Sequence, residues 1–190
     1  MKLNDLVYIN PTNTAHKKLR SICYIDTASV YDGTLTNTQT LTENFPSRAQ
    51  RKIERGDILI SSVRPNLKHN YYVSETIDNA IASTGFIHIR VKDSTVVNPQ
   101  FLYYWLTAPD KINRYCSIAE CSQSAYPSFT KEAIEALDFP SISITTQHSI
   151  TNTIPYSTFN LLKFSKICLS NSAPSAVKAR YSCSKASNFA

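Results

Sequence analysis

The chain has 190 residues, which is ample for one domain with its own core and too short for two such domains with long helical connectors. With 42% hydrophobic and 18% charged residues, the composition is globular and not disordered. Most of the net charge of +6 comes from residues 155–190, which hold five cations and no acid, whereas residues 1–154 carry fifteen cations against fourteen acids. Only a local cluster of charge can therefore indicate a nucleic-acid partner.

The sequence lacks signals for a membrane or an oxidising compartment. No apolar run approaches the roughly 20 residues needed to cross a bilayer, and the N-terminus has no apolar secretory region. The cysteines are odd in number and lack paired C-x-x-C spacing, which argues against a disulfide framework and a zinc site. They are Cys23, Cys116, Cys121, Cys168 and Cys183. We expect a cytoplasmic protein with reduced thiols and no membrane partner.

The predicted elements alternate between strands and short helices. Apolar and β-branched runs predict strands at 22–25, 58–63, 71–73 and 86–91. Asn98-Pro99 is a good helix start, followed until Pro109 by an apolar stripe that we interpret as core and not as a base-stacking platform. A short helix should begin near Thr130 and end before Pro140. This order predicts an α+β fold, a single mixed domain with a β-rich core and flanking short helices.

The strongest local cluster of charge runs from Arg48 to Lys68, where six cations face only Glu54 and Asp57. A turn at Gly56-Asp57 precedes an apolar strand, and the loop that follows offers hydroxyl, amide, guanidinium and ammonium groups. Such groups suit phosphate oxygens and base edges, although a solvated charged face would also account for the cluster. The candidate DNA contacts here are Arg48, Arg51, Lys52, Ser61, Ser62, Arg64, Asn66, Lys68, His69 and Asn70.

A second candidate loop spans residues 121–131, next to the predicted helix start. Its polar side chains and the helix amides could contact bases and phosphate, although a loop that only caps the helix through Ser128 or Thr130 is an equal alternative. The candidate contacts here are Ser122, Gln123, Ser124, Tyr126, Thr130 and Lys131. By side-chain chemistry, Gln123, Asn66 and Asn70 could pair with adenine, and Arg64 with guanine or phosphate.

Motifs for catalysis are missing from the sequence. Three glycines form neither a P-loop nor a dinucleotide fingerprint, and no run resembles the N-P-P-Y of amino-methyltransferases. The four histidines have no evident partner carboxylate or nucleophile; His69 could donate to phosphate, and His88 suits a structural role. We therefore predict no enzymatic activity, no cofactor and no metal of its own. A nuclease using Asp57 or Asp26 with a metal is the enzymatic alternative.

Several short blocks in a fixed order resemble the target-recognition domain of type I restriction-modification specificity subunits. These blocks are Tyr24 to Val30, Gly56 to Leu59, Ser62 to Asn66, Ala82 to Phe86, Pro99 to Leu106, and Ser124 to Glu132. The resemblance covers about residues 1–154. It implies a subunit that binds a double-stranded DNA half-site and docks methyltransferase and restriction subunits. S-adenosylmethionine and ATP would then belong to those partners.

The resemblance also implies a division of the chain. Residues 1–140 would form the recognition domain, residues 141–154 would start a helical arm, and residues 155–190 would be an atypical tail, as a truncated or frame-shifted reading frame would produce. The family's proline-rich lead into a long helix is replaced here by SISITT, and Pro155 stops the arm. If the arm is lost, docking to the methyltransferase subunit is in doubt. The same holds for dimerisation through the helices, which would pair two half subunits. The alternative is an interaction module or defective remnant that occupies modification complexes without reading DNA.

Overall fold

The computed structural model describes residues 1–11, 19–122, 126–153 and 155, and within them it shows a mixed α+β fold. The fold class predicted from the sequence is confirmed. The strands are β1 (Val7–Ile9), β2 (Ile22–Ile25), β3 (Val30–Tyr31), β4 (Thr34–Leu35), β5 (Gln39–Leu41), β6 (Ala49–Lys52), β7 (Ile58–Ser61), β8 (Asn70–Tyr72), β9 (Ala80–Ser83) and β10 (Phe86–Val91). The helices are α1 (Leu3–Leu6), α2 (Pro99–Leu106), α3 (Pro109–Glu120), α4 (Glu132–Glu135) and α5 (Ile144–Thr153).

The strands form two four-stranded sheets and a separate hairpin. The first sheet has the order β1-β10-β7-β8 and is antiparallel throughout. The second has the order β5-β2-β9-β6, in which only β2 and β9 are parallel. Strands β3 and β4 make the hairpin. The chain passes from β9 in the second sheet directly into β10 in the first, so the two sheets are joined at the turn between them.

The apolar run of β7 is buried on both faces of the first sheet. Ile58 and Ile60 belong to the hydrophobic cluster that includes α2 and α3, whereas Leu59 points to the opposite cluster with Phe86 and Tyr71. This follows from the alternation of side chains along a strand. The sheet therefore fixes both ends of β7, including the end from which the first candidate loop departs.

The helices cover one face of the first sheet. Asn98 Oδ1 accepts a hydrogen bond from the Phe101 amide at 3.0 Å, and Pro99 occupies the first turn, as the sequence predicted. The burial of α2 is wider than the predicted stripe, because all side chains from Phe101 to Leu106 are buried. The interpretation of this aromatic segment as core is confirmed.

Three boundaries differ from the sequence predictions. Pro109 does more than end α2, since it takes the first-turn position of a further helix, α3, that the sequence analysis missed. Strand β7 ends at Ser61 and not at residue 63, because its ladder with β10 ends at Ser61 and the next residues, Ser62 and Val63, pair with Gly85 and Ser128 instead. Strand β8 spans Asn70–Tyr72, one residue earlier at both ends than predicted.

Helix α5 lies in the segment predicted as the start of an arm. It is fixed to the domain by the buried Gln147, by a contact of 2.8 Å between Asn98 Nδ2 and His148 Nδ1, and by the packing of Ile150 on the core. Gln147 is fully buried. Its Oε1 accepts a hydrogen bond from the backbone amide of Asn98 at 2.9 Å, and its Nε2 donates to the backbone carbonyls of Val96 and Ile142. The division at residue 140 stays a prediction. No helix in the described part of the chain is long and apolar enough to cross a membrane.

Candidate nucleic-acid interface

The first candidate loop has an unusual backbone. Arg64 and Lys68 have φ angles of 48° and 53°, in the left-handed region that few residues other than glycine adopt, and they flank a 3₁₀ turn at Pro65–Leu67. The turn is closed by hydrogen bonds from Leu67 N to Arg64 O and from Lys68 N to Pro65 O, at 2.9 and 3.1 Å. Strained backbone of this kind persists only where the surrounding structure holds it, and it motivates a functional hypothesis.

The second candidate loop supplies that surrounding structure. Arg64 N donates to Pro127 O at 2.9 Å, and Phe129 N donates to Ser62 O at 3.0 Å. The guanidinium carbon of Arg64 lies 5.3 Å from the centroid of the Tyr126 ring, within the range of a cation–π contact. Two loops about 60 residues apart in the sequence therefore meet at Arg64.

An aromatic anchor holds the second loop on the domain. Phe129 is buried, and its ring stacks on that of Tyr115 in α3 with centroids 4.6 Å apart. Burial raises the pKa of the Tyr115 hydroxyl. Because Phe129 is fixed to α3 while its amide bonds to Ser62, the described part of this loop is held in register with the first loop.

Among the cations of the basic cluster that precede β7, Arg48 is the one whose backbone is connected to the first loop. Arg48 O accepts from Thr84 N at 2.9 Å, and Gly85 O accepts from Ser62 N at 3.0 Å, so backbone hydrogen bonds connect Arg48 to the first loop through the β9–β10 turn. Arg51 is half-buried, and loss of hydration lowers its pKa. Lys52 lies at the far end of β6 and pairs with Glu54 at 3.7 Å. These two side chains are less suited to DNA contact than the sequence suggested.

Two predicted contacts prove to serve the fold instead. Ser61 and Asn70 are 0% and 2% exposed. Ser61 Oγ donates to Val63 O at 2.9 Å, and Asn70 Oδ1 accepts from Ser61 N at 3.1 Å. Both residues lie at strand ends that face each other across β7 and β8, where a polar side chain satisfies backbone groups that the ladder leaves open. Because both side chains are buried and engaged, neither is placed to contact DNA. The same burial argues against the predicted pairing of Asn70 with adenine.

The remaining residues of the first loop differ in exposure. Arg64, Asn66 and Lys68 are exposed, and Ser62 is half-buried with its hydroxyl donating to Gly85 O at 2.9 Å. His69 is also half-buried; burial lowers its pKa, against the opposing charge of Asp26. A neutral His69 can still donate one hydrogen bond to a phosphate, as predicted, but it adds little charge at neutral pH.

The second loop is only partly described. Gln123 and Ser124 lie outside the described residues, so their predicted contacts stay predictions. Ser122 Oγ donates to Ala119 O at 2.7 Å and so closes the end of α3. Tyr126 is 61% exposed.

The helix after this loop is a poor phosphate site. It has only four residues, and its N-cap is Lys131, whose Nζ lies 2.7 Å from Glu135 Oε1. The hydrogen bond to Glu135 raises the pKa of Lys131, and a hydrogen bond from Thr130 lowers that of Glu132. Thr130 and Lys131 are exposed, but their groups are already engaged with the acids of α4.

A buried charge cluster replaces the proposed metal site at Asp57. Asp57 is 1% exposed; His88 Nε2 donates to its Oδ2 at 2.8 Å, and Arg90 donates to both carboxylate oxygens at 2.8 and 2.7 Å. Burial alone would raise the pKa of Asp57, but the hydrogen bonds from Arg90 and His88 outweigh it and hold the pKa below its ordinary value. His88 therefore has a partner carboxylate that the sequence analysis missed, and its role is structural.

Asp26, the other carboxylate considered for a metal, caps a short turn. Its Oδ1 accepts from the amides of Ala28 and Ser29 at 2.9 and 3.0 Å. Across the described ranges, no group of three or more His, Cys, Asp or Glu side chains is placed to hold a metal ion. The geometry thus gives neither carboxylate the partners that metal-dependent cleavage would require.

The family model of the type I restriction modification DNA specificity domain matches residues 1–157, so the chain belongs to this family. Over 135 residues it is 26% identical to the type I restriction enzyme HindI specificity subunit of Haemophilus influenzae. The aligned region covers 70% of this chain and 29% of that protein. The resemblance inferred from the sequence is confirmed.

Solved structures agree with this assignment at the level of the fold. The crystal structure of the HsdS subunit from Thermoanaerobacter tengcongensis matches with a TM-score of 0.68 and 24% identity. A chain from work on complex assembly and conformational transition of the type I R-M system matches with a TM-score of 0.67 and 22% identity. Each match covers 80% of this chain and 40% of the other. The chain therefore spans less than half the length of the relatives it matches.

Proposed function

We propose that this chain reads one half-site of double-stranded DNA for a type I restriction-modification system and directs methyltransferase and restriction subunits to it. The observation that carries the proposal is the meeting of the two candidate loops at Arg64, whose backbone amide bonds to Pro127 and whose guanidinium carbon lies 5.3 Å from the centroid of the Tyr126 ring. A guanidinium held in one direction is suited to bidentate contact with guanine or phosphate.

The electrostatics of this surface support the same conclusion. Arg48, Arg64 and Lys68 are exposed, and none of the three has an acidic group within 4.0 Å among the described residues. By contrast, Lys52 and Lys131 are neutralised by neighbouring glutamates. Cations without local counter-ions are the ones that release bound ions from DNA and so contribute to affinity.

Chemistry would belong to the partner subunits in this proposal. Asp57 and Asp26 are engaged in structural hydrogen bonds, and the candidate surface offers hydrogen-bond donors in place of a nucleophile with its base. S-adenosylmethionine and ATP would accordingly be bound by the methyltransferase and restriction subunits. Helix α5, held on α2 by Gln147, would present the first turns of the docking arm, through which two such chains could also pair.

The test is selection of binding sites from a randomised duplex-DNA pool at near-physiological salt, by the full chain alone and with a type I methyltransferase subunit. Enrichment of a short motif by the chain alone supports an autonomous half-site reader. Enrichment only in the presence of the subunit supports reading that depends on docking. No enrichment in either case contradicts the proposal and favours a remnant or an interaction module that does not read DNA.

A further inference from the structure

The β3–β4 hairpin contacts the C-terminal end of the first loop. Asp32 N donates to Lys68 O and Gly33 N to Asn70 O, both at 3.1 Å. The second loop, in contrast, bonds to Ser62 and Arg64 at the other end of the first loop. The first loop is thus supported towards both ends by backbone hydrogen bonds, and the hairpin adjoins it directly.

Hydrogen bonds and a buried side chain fix the orientation of the hairpin. Ser29 O accepts from the amide of Thr36 at 2.8 Å and from its hydroxyl at 3.0 Å, while the Asp26 carboxylate fixes the turn before the hairpin. Asp32 and Gly33 have φ angles of 42° and 82°, as a two-residue type I′ turn requires. Val30 is fully buried in the core between the sheets. These constraints leave the opposite face of the hairpin towards solvent.

That outer face carries an exposed aromatic side chain. Tyr31 is 64% exposed, against 61% for Tyr126, which contacts the first loop at Arg64. Thr34 is registered directly opposite Tyr31 and is also exposed, so the two side chains project on the same face. Tyrosine can donate its hydroxyl to phosphate or sugar and place its ring against a base, and for this reason it is enriched at binding surfaces.

We propose that the β3–β4 hairpin is a third DNA-contacting element, in which Tyr31 contacts the duplex beside the nucleotides read by the first loop. This inference rests on the proposed function. The contact is assigned to the face with Tyr31 and Thr34 and not to the turn, because the Asp32 carboxylate at the turn would repel phosphates.

The first test compares affinities for a motif selected by the parent chain, alone or with the methyltransferase subunit. Tyr31→Ala should weaken binding about tenfold, the scale of one lost aromatic or phosphate contact. Tyr8→Ala is the matched control, since Tyr8 is 53% exposed but lies on β1, the edge strand of the first sheet remote from β8. The Tyr8→Ala variant should bind the motif with the affinity of the parent chain. Equal affinities for the Tyr31→Ala and Tyr8→Ala variants would overturn the proposal.

Introducing a charge of either sign at Thr34 tests the contact through the salt dependence of binding, which a purely structural role would not change. Thr34→Lys should raise the affinity and steepen its salt dependence, whereas Thr34→Glu should do the opposite. If both variants bind like the parent while Arg64→Ala binds poorly, the hairpin proposal fails and the proposed function stands. If the parent chain selects no motif in any form, both fail together.

Discussion

At the scale of single residues, the site depends on how the backbone directs Arg64. Its left-handed φ, its amide bond to Pro127 and the Tyr126 ring together restrict where the guanidinium can point. Restricting a long side chain before binding reduces the entropy lost when the contact forms. Arg64 is therefore expected to contribute more to recognition than cations of similar exposure elsewhere on the chain.

Arg64→Ala should weaken binding to the selected motif by about 1–3 kcal/mol and relax the base preference at one position. Arg64→Lys should recover only part of this loss, because an ammonium cannot form the bidentate pair with guanine. Fluorescence anisotropy with the motif and its single-base variants provides the measurement. Arg55→Ala is the control, since Arg55 is exposed in the turn before β7, at the end opposite the loops. Full recovery by lysine would assign Arg64 to phosphate.

Asp57→Asn should lower the free energy of unfolding by about 3 kcal/mol, because it leaves Arg90 and His88 without their buried anionic partner. The folded-state pKa of Asp57 lies below its ordinary value of 3.8, so its stabilising contribution is present above that pH and is lost as the pH falls through the folded-state value. Urea unfolding between neutral pH and about pH 3 should therefore show a weaker acid dependence in the variant.

The exposed Asp78 supplies the control for that experiment. Asp78→Asn should leave both the midpoint and its pH dependence close to those of the parent. Identical midpoints for Asp57→Asn and the parent at neutral pH would show that the buried cluster contributes nothing to stability.

At the scale of elements, the sequence predicted what local chemistry determines. The Asn98 cap and the apolar runs of β7 and β10 carry strong signals within a few residues. Strand β6 and the β3–β4 hairpin are short, and β6 is mostly polar. Strand β6 forms because it pairs with the distant β9. Strands β3 and β4 pair with each other across Asp32-Gly33, a local turn signal that the sequence predictions did not include.

The candidate site shows the same limit. Residue type singled out both loops, but it could not show that they meet, because that contact joins residues 62–64 to residues 127–129 through tertiary structure. Nor could residue type separate Asn66 from Asn70: one lies on an exposed 3₁₀ turn and the other at the buried start of β8. Burial, which depends on the strand ends, decides which amide faces solvent.

Gln147 should contribute most to the docking of α5, beside the contact between Asn98 and His148 and the packing of Ile150 on the core. Gln147→Ala removes three hydrogen bonds and leaves the buried backbone amide of Asn98 without its partner, which should cost about 3 kcal/mol. Asn152→Ala, on the exposed side of the same helix, should cost less than about 0.5 kcal/mol. Thermal unfolding and hydrogen exchange of α5 provide the measurements, and equal protection of α5 in both variants would rule out the anchoring role.

At the scale of the whole molecule, net charge is a poor guide to the binding surface. Most of the +6 lies in residues 155–190, whereas the candidate surface is carried by a few exposed cations around the two loops. A cation that neutralises a phosphate changes the slope of log affinity against log salt by about 0.9, whichever bases are read. Salt titration can therefore separate cations that contact DNA from those that only raise the net charge.

Lys68→Ala and Arg48→Ala should each reduce the magnitude of that slope by about one and leave the selected motif unchanged. Lys52→Ala is a matched control, because Lys52 pairs with Glu54 at 3.7 Å and lies at the far end of β6 from Arg48. Its slope should equal that of the parent. The same reduction in all three variants would mean that the chain binds DNA through diffuse charge, and the two loops would then lose their status as the reading surface.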